Sequence, residues 1–446
     1  MPRRNLLLIC LVVPICLLAW AAQDRSGLGR RFAGVIRQVE SRYIEPVDSG
    51  QLFAAALEGI FASLDENSRF LDADTYRGLS ESLNQQSAGI GVEIARGESS
   101  GSVVVIAPML DGPAWKAGLT TGDRILSIDG ESVAALSLRQ VAARLRGPAG
   151  TKLTLDVLPG IEQVDATPTA GTSVASPRPF LITRQPLSAT SIRGDRRLAD
   201  GRWTWWLEGE TNVALIRITQ FGESTAGEIA EVIGQLRAEA ELAGLILDLR
   251  GNAGGLLQAA VAVCDHFLEQ GTIVTTADRR QPPAGPASQA GPGDLLAGVP
   301  LVVLIDDLTA SAAEIVAACL QDHGRATIVG SRSYGKGTVQ TVLPLPGESA
   351  AIQLTTAEYC RPSGQPIDRP ATAEAGQPWG VSPDSGYELT PTRDQLDRWC
   401  AWRQHRDRPQ SAMPARAGQP VDADPAAALP RHADPVLARG LQAFVE

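Results

Sequence analysis

The stretch VPLVVLIDDLTASAAEIVAACLQDHGRATIVG, residues 299–330, is typical of a buried strand, a short turn, a helix and a second strand. Strand–helix–strand order indicates parallel pairing, with helices packed on the faces of the sheet. LAGLILDLRGNAGG, residues 242–255, gives the first half of the same pattern, an apolar strand that ends in a glycine-rich turn before a helix. The sequence therefore predicts an α/β core. Functional sites in such folds gather where strands end and helices begin.

Ser311 lies at the strand–helix junction of the first stretch. The unpaired N–H groups and the dipole of a helix N-terminus favour negative charge. A nucleophile at this position has neighbouring amides that hold a developing oxyanion. The same residues also fit a helix cap, because Glu314 follows Ser311 by three positions, as in a capping box. Taken alone, the cap is the better interpretation, since serines before helices are common.

The segment SYGKGTVQ, residues 333–340, places Lys336 between Gly335 and Gly337. A charged surface turn is one interpretation. The other is a buried general base, because an ammonium group cannot accept a proton. A free lysine has a pKa of about 10.4, which burial lowers by up to about 3–5 units. Glycines on both sides would let the backbone bend tightly enough for the lysine to enter a site from its own strand.

The segment 87–160 alternates short strands with glycine-containing turns. AGIGVEI, PAWKAGLTTGDRILSIDGESV and LRGPAGTKLTL, at residues 88–94, 113–133 and 145–155, resemble a PDZ domain. Glycines before the first strand let backbone N–H groups converge on a peptide carboxylate, and that strand pairs with the extended peptide. The residues expected at the peptide are Ala88, Gly89, Ile90 and Gly91. The alternative is a small β-domain without a ligand.

Three motifs occur together in the order LILDLRGNAGG, TASAAEIVAACLQDHGRATIVG and SYGKGTVQ. They follow a helical lead and the PDZ-like segment, and EYCRPSGQPI and GVSPD come after them. Together they resemble the carboxyl-terminal processing peptidases, which are serine endopeptidases with an inserted PDZ domain. The resemblance extends from about Arg31 to Asp384. It implies a multidomain chain of α/β and α+β type, with a core like that of crotonases and Clp proteases, and it implies neither a metal nor another cofactor.

The same resemblance assigns catalytic roles to individual residues. The nucleophile is Ser311, and the general base is a neutral Lys336, 25 positions later, which is the family's spacing. Gln340, one helical turn beyond the lysine, orients its amine. The oxyanion donors are the backbone N–H of Ala312 and that of Gly254 or Gly255. Lys336 would accept the Ser311 proton and later deliver it to the leaving amine.

Two other sets of polar residues invite a catalytic interpretation. The four histidines are His266, His323, His405 and His432. They fall in a helix, a turn and the polar C-terminal region, which are poor settings for the base of a serine–histidine triad. Asp248 and Arg250, in DLRGN, are better explained as a charged pair that shapes the oxyanion turn.

The bulk composition limits the function classes. The 446 residues carry a net charge of −10, from 40 basic and 50 acidic side chains, which argues against a nucleic-acid binder. Residues 1–25 carry arginines at positions 3 and 4, followed by an apolar run from Leu6 to Ala22 that contains the small-residue pattern Ala19-Trp20-Ala21. This pattern favours a cleaved export signal over a retained membrane anchor.

The cysteines do not have the spacing of a metal site. Four of the six lie outside the leader, far apart and without a C-x-x-C pair. Cys264 and Cys319 lie in apolar helical stretches and are expected in the core. The sequence does not decide whether any of these cysteines form a disulfide.

The predicted organisation follows from these segments. We expect a signal peptide or signal anchor at 1–25, a helical region at 26–86, a PDZ domain at 87–160, a peptidase core at 161–390 with flexible loops near 160–179 and 279–294, and a helical, proline-rich region at 391–446.

The predicted function is that of an exported serine endopeptidase of the periplasm or cell envelope, which cleaves proteins near their C-termini. The PDZ domain would capture substrate tails and gate the site. Expected partners are proteins or peptides with accessible C-termini and an adaptor or activator, with membrane anchoring through the N-terminus as an option. The alternatives are a catalytically silent PDZ scaffold of the envelope, and acyl transfer or lipid hydrolysis on a related core.

Overall fold

A computed structural model describes most of the chain outside the predicted leader. The described ranges are 27–83, 86–96, 102–109, 112–160, 176–188, 190–198, 201–278, 287–345, 349–370, 372, 377–407 and 434–445. The predicted leader, the proline-rich stretch 408–433, and residues 161–175 and 279–286 of the two predicted loops lie outside them. Among the helices of these ranges, none combines the length and the hydropathy that crossing a membrane requires.

Helices and strands alternate along the whole described chain. The helices are α1 (Leu28–Arg42), α2 (Ser49–Phe61), α3 (Ala73–Leu83), α4 (Pro113–Lys116), α5 (Leu138–Leu145), α6 (Thr225–Glu239), α7 (Leu257–Asp265), α8 (Ala312–Asp322), α9 (Arg393–Asp407) and α10 (Pro435–Gln442). The strands are β1 (Arg69–Leu71), β2 (Gln86–Gly89), β3 (Val92–Arg96), β4 (Val103–Pro108), β5 (Arg124–Ile128), β6 (Glu131–Ser132), β7 (Lys152–Leu158), β8 (Arg178–Thr183), β9 (Gln185–Ser188), β10 (Ile192–Arg193), β11 (Arg196–Arg197), β12 (Trp203–Thr204), β13 (Val213–Ile218), β14 (Gly244–Asp248), β15 (Gly271–Asp278), β16 (Ala287–Ala290), β17 (Leu301–Ile305), β18 (Thr327–Gly330), β19 (Thr338–Pro344) and β20 (Ala351–Cys360).

The chain divides into two compact units, of which the first comprises residues 1–76 and 340–355. It contains α1 and α2, as the helical pattern of the sequence predicts, and a strand that the pattern does not predict. This strand, β1, pairs in antiparallel fashion with the start of β20. It lies between a turn in which the Ser68 hydroxyl donates to Asp65 and a helix start at which the Thr75 N–H donates to Asp72.

The second unit comprises residues 77–339 and 356–446, and part of it is the PDZ-like sheet. Strands β3, β4, β5, β7 and β8 are antiparallel neighbours in that order, and β6 pairs with β5. Along β4 alternate residues are buried, and Val103 and Val105 belong to a core that also contains Val141 of α5. Strand β3 is at the end of the sheet, so no strand of the described residues pairs with the other side of its backbone.

A mainly parallel sheet forms the rest of the second unit's core, in the order β10, β13, β14, β17, β18. Strands β13, β14, β17 and β18 are parallel, and β10 is antiparallel to β13. Every residue of β14 is buried because helices cover both faces. Leu245 and Leu247 belong to the cluster that contains α6, α7 and α8, whereas Ile246 belongs to the cluster that contains α10.

The predicted loop at 279–294 includes the strand β16, which pairs with β15. Cys264 and Cys319 lie in the core, as predicted, and both side chains are fully buried. In the part of the chain that the structure describes, no disulfide joins any two cysteines.

The replacement Leu247→Ala should lower the free energy of unfolding by about 2–5 kcal/mol, because it leaves a cavity in a strand packed on both faces. Leu181→Ala is the matched control, since Leu181 is 65% exposed on β8. Its change should stay within about 0.5 kcal/mol. Urea unfolding followed by fluorescence measures both, and equal losses in the two variants would contradict the assignment of the core.

Candidate active site

Ser311 occupies a strained turn between β17 and α8. Its φ is 56° and its ψ is −119°, a conformation that non-glycine residues rarely adopt. An ordinary helix N-cap has an extended backbone instead. Two hydrogen bonds hold the residues that lead into the turn: the Thr309 hydroxyl donates to the Leu249 carbonyl at 3.0 Å, and the Ala310 N–H donates to the Asn252 carbonyl at 2.9 Å. Ser311 is 8% exposed.

A second turn, residues 250–255, follows β14 and lies against Ser311; we call it the oxyanion turn. A methyl group added to Gly254 would lie 2.8 Å from the Ser311 Cβ and 3.0 Å from the Ala312 nitrogen. Gly255 has a φ of +146°, and a methyl group there would lie 2.0 Å from the Phe221 carbonyl oxygen. Both positions therefore require glycine. The oxyanion turn packs against the Ser311 turn at Gly254 and against Phe221 at Gly255.

The two glycines differ in what their N–H groups do. The Gly254 N–H donates to the Asn252 side-chain oxygen at 2.8 Å, and the residue is buried. Gly255 is exposed, and within the described residues no group accepts its N–H or that of Ala312. Of the alternatives left open by the sequence, Gly255 is thus the residue with an available donor, together with Ala312.

The turn that carries Lys336 follows β18 and needs glycine for close packing. Gly335 has a φ of +83°, and a methyl group there would lie 2.7 Å from the Trp379 ring. A methyl group on Gly337 would lie 2.0 Å from the Asp368 nitrogen. The Tyr334 N–H donates to the Thr309 carbonyl at 2.9 Å, so this turn runs beside the Ser311 turn. Lys336 itself is half-buried.

The carboxylate of Glu314 joins the Ser311 turn to the Lys336 turn. Its Oε2 accepts the backbone N–H of Ser311 and that of Lys336, each at 2.8 Å. The two nitrogens therefore cannot lie further apart than twice that length. Its Oε1 accepts the Ser333 hydroxyl at 2.5 Å and the Gly335 N–H at 2.7 Å. The capping-box spacing predicts the bond to Ser311, but nothing in the sequence predicts the other three.

The environment of Glu314 suits a buried anion. Burial raises the pKa of Glu314 above its ordinary value, and the four donated hydrogen bonds act in the opposite direction. The Ser333 hydroxyl accepts the Val381 N–H at 2.7 Å, which directs its own proton towards Glu314. A carboxylate can accept from all four donors only when it is ionised.

The predicted charged pair at the oxyanion turn is present and has a third member. Arg250 binds Asp248 at 2.7 Å, and it also binds Asp434, at 2.8 Å. The neighbouring Arg250 holds the pKa of Asp248 below its ordinary value, against the opposing effect of burial. The sequence gives no sign of Asp434, because it lies 184 positions further along the chain.

The remaining predicted site residues lie on other elements. Gln340 is half-buried on β19, so it follows Lys336 on a strand and not on a helix. Ala88 and Gly89 are in β2 and pair with β9, whereas Ile90 and Gly91 lead into the edge strand β3. Gly91 has a φ of +70°, which favours glycine.

Two of the four histidines hydrogen-bond to backbone carbonyls outside these turns. His266 is 3.0 Å from the Ala226 carbonyl oxygen, and His323 is 2.8 Å from that of Thr272. His405 lies on α9, and His432 is outside the described residues.

Comparison with known proteins identifies the family. Residues 212–385 match the model of peptidase family S41, and residues 104–159 match a PDZ domain model. The chain is 33% identical over 392 residues to the carboxy-terminal-processing protease of Bartonella bacilliformis, covering 85% of this chain and 82% of that one. This chain belongs to peptidase family S41.

Further relatives of this S41 peptidase carry the same description. It is 35% identical over 352 residues to the carboxyl-terminal-processing protease of Synechocystis sp., covering 78% of this chain and 74% of that protein. It is 29% identical to the solved structure of a photosystem II D1 C-terminal processing protease, with a TM-score of 0.42, covering 84% of this chain and 91% of that one. The chain is therefore a peptidase of the C-terminal processing serine protease family, as predicted.

The replacement Glu314→Gln should lower the kcat of this S41 peptidase by about tenfold or more, because small displacements of catalytic groups are costly. An amide has one acceptor oxygen, so it loses the Ser311 and Lys336 bonds or the Ser333 and Gly335 bonds. Peptide hydrolysis measures the effect.

Glu228→Gln is the matched control for this prediction. Glu228 accepts hydrogen bonds from the Ser191 N–H, the Ser191 hydroxyl and the Ser224 hydroxyl, at 2.8, 2.8 and 2.6 Å. This variant should lose stability and keep its kcat. An unchanged kcat in Glu314→Gln would show that Glu314 does not hold the catalytic turns together.

Proposed function

We propose that this S41 peptidase cleaves proteins near their C-termini with Ser311 as nucleophile and Lys336 as neutral general base. The observation that carries the proposal is the shared acceptor Glu314, whose Oε2 binds the backbone N–H of both residues at 2.8 Å. The alternative in which Ser311 is only a helix cap does not account for its positive φ or for the turn packed against it.

The reaction would proceed through an acyl-enzyme. The Ser311 hydroxyl oxygen attacks the scissile carbonyl carbon while the Lys336 amine accepts its proton. The N–H groups of Ala312 and Gly255 stabilise the resulting oxyanion. The Lys336 ammonium then gives its proton to the departing amine, and water hydrolyses the ester by the reverse proton path. Gln340 would orient the amine of Lys336.

The PDZ domain would supply substrate capture. Strand β3 offers an open edge to an extended peptide, and Gly91, at its start, adopts the left-handed backbone that a tight turn before a strand requires. Ala88, Gly89 and Ile90 complete the segment that would bind the terminal carboxylate. An exported substrate tail, delivered alone or by an adaptor, would then be held in register for cleavage.

Contacts of β3 also offer a route for gating. Glu93 on this strand lies 3.6 Å from Arg193 and 3.7 Å from Arg197, two residues of the catalytic core. Half-exposed ion pairs of this kind are weak, typically below about 1 kcal/mol. A peptide that pairs with β3 would therefore displace them easily, and this would release the PDZ domain from that part of the core.

The export proposal depends on the leader pattern at 1–25, which lies outside the described residues. We propose that the leader directs the chain to the periplasm or cell envelope, with or without a retained anchor. Cell fractionation with antibodies against the catalytic core, before and after alkaline extraction, separates a released protein from an anchored one.

The replacements Ser311→Ala and Lys336→Ala should each abolish cleavage of an unstructured protein substrate, whereas Lys152→Ala, an exposed lysine, should not. Mass spectrometry of the products locates the cuts, and a fluorophosphonate probe should label the wild type and not Ser311→Ala. Turnover by Lys336→Ala at the wild-type rate would remove the general-base assignment. If the wild-type protein hydrolyses esters but does not cleave casein, an unstructured protein substrate, the result would instead favour acyl transfer or lipid hydrolysis.

Amidation of a substrate peptide's C-terminus should raise KM by about tenfold and leave kcat unchanged, because charge-assisted hydrogen bonds at the PDZ domain are lost. Binding of both peptides to the inactive Ser311→Ala variant, measured by fluorescence anisotropy, separates capture from chemistry. Equal affinities would contradict carboxylate recognition by the PDZ domain and leave the Ser311–Lys336 assignment untouched.

A further inference from the structure

Arg250, at the start of the oxyanion turn, is held by carboxylates from two distant parts of the chain. Its guanidinium donates to both oxygens of Asp434, at 2.8 and 2.9 Å, and to both oxygens of Asp248, at 2.9 and 2.7 Å. The Arg250 and Asp434 side chains are 7% and 2% exposed. The guanidinium also stacks on Trp399 of α9, 4.7 Å from the ring centroid. This is a buried cation with two carboxylate partners and not a surface ion pair.

Asp434 is fixed in place by the helix that it begins. It caps α10, since its Oδ1 accepts the Leu437 N–H at 3.0 Å. Val436 and Leu437 are buried in the cluster on the β17 and β18 side of the sheet. The carboxylate therefore presents a fixed acceptor pair to Arg250, and α10 is attached to the oxyanion turn through that pair.

The rest of the oxyanion turn has its own restraints. The Gly251 N–H donates to Asp306 at 2.9 Å, and the Asn252 side chain donates to the Ile218 carbonyl at 2.8 Å. These bonds secure the middle of the turn. Its first residue, Arg250, is secured by the two aspartates. Asp248 is the last residue of β14, which leads into this turn, whereas Asp434 precedes α10.

We propose that Asp434, acting through Arg250, is a positioning residue for the oxyanion turn, so that the C-terminal helix α10 takes part in catalysis. Loss of the Asp434 charge leaves a buried guanidinium with one carboxylate and unsatisfied donors. The cation relieves this by moving towards water. Its backbone begins the turn that carries the Gly255 N–H, so the donor moves away from the oxyanion. The inference rests on the proposed function, in which Gly255 and Ala312 hold that oxyanion.

The test compares Asp434→Asn with Arg439→Ala in the full-length protein. Asparagine remains a good N-cap for α10 but removes the charge from Arg250. Arg439 attaches the same helix elsewhere, through the Gly386 carbonyl at 2.9 and 3.0 Å and the Tyr387 ring, so its loss weakens α10 without touching Arg250. Asp434→Asn should lower kcat by about 10- to 100-fold with KM unchanged, less than the roughly 100- to 1,000-fold effect of removing an oxyanion donor. Arg439→Ala should keep the wild-type kcat.

The rate of Ser311 labelling by a fluorophosphonate probe gives a second measurement, because the phosphonyl oxygen needs the same donors as the peptide oxyanion. It should fall in Asp434→Asn by the same factor as kcat. A wild-type kcat and labelling rate in Asp434→Asn would overturn the inference. It would also be overturned if kcat fell in both Asp434→Asn and Arg439→Ala in proportion to the decrease in their melting temperatures. Failure of the proposed function is recognised separately, by cleavage that persists in Ser311→Ala.

Discussion

One buried carboxylate, that of Glu314, joins the turn that carries Ser311 to the turn that carries Lys336. It accepts hydrogen bonds from the Ser311 turn and from the Lys336 turn, and three of its four donors are backbone N–H groups. Its contacts therefore fix the backbone paths of the Ser311 and Lys336 turns, because they are made to three backbone N–H groups and one hydroxyl. This arrangement is possible because β17 and β18 are parallel neighbours, so that the segments following them start from the same edge of the sheet.

The periodicity of the sequence predicts the strand–helix alternation of the core because each of these elements is stabilised by its own apolar face. Strands β1 and β16 are not predicted in this way. Strand β1 has only three residues and pairs with β20, far along the chain, and β16 carries little apolar surface. Arg69 faces Gln353, and Ala290 faces Gly271. Local patterns cannot indicate such pairings.

The candidate site likewise contains residues that the sequence predicts and contacts that it does not. Ser311 and Lys336 are predictable from their motifs, because glycine and small residues must surround them in the sequence itself. The availability of the Gly255 N–H is not predictable, since it depends on where the Asn252 side chain points and on the bond that it makes to Gly254. The contacts of Asp434 are not predictable either, because Asp434 meets Arg250 of the oxyanion turn only when the C-terminal helix is packed on the sheet.

The backbone of Ser311 bears most directly on the choice between an enzyme and a silent scaffold. A residue held in a sparsely populated conformation costs about 1–3 kcal/mol and persists only where its surroundings impose it. A serine that only capped α8 would adopt an extended backbone at no such cost. At Ser311 the strain accompanies an Ala312 N–H that no described group accepts and a glycine turn packed against the serine Cβ. A scaffold has no physical need for that combination, whereas the acyl transfer proposed for Ser311 would use the Ala312 donor and the close approach of the two turns.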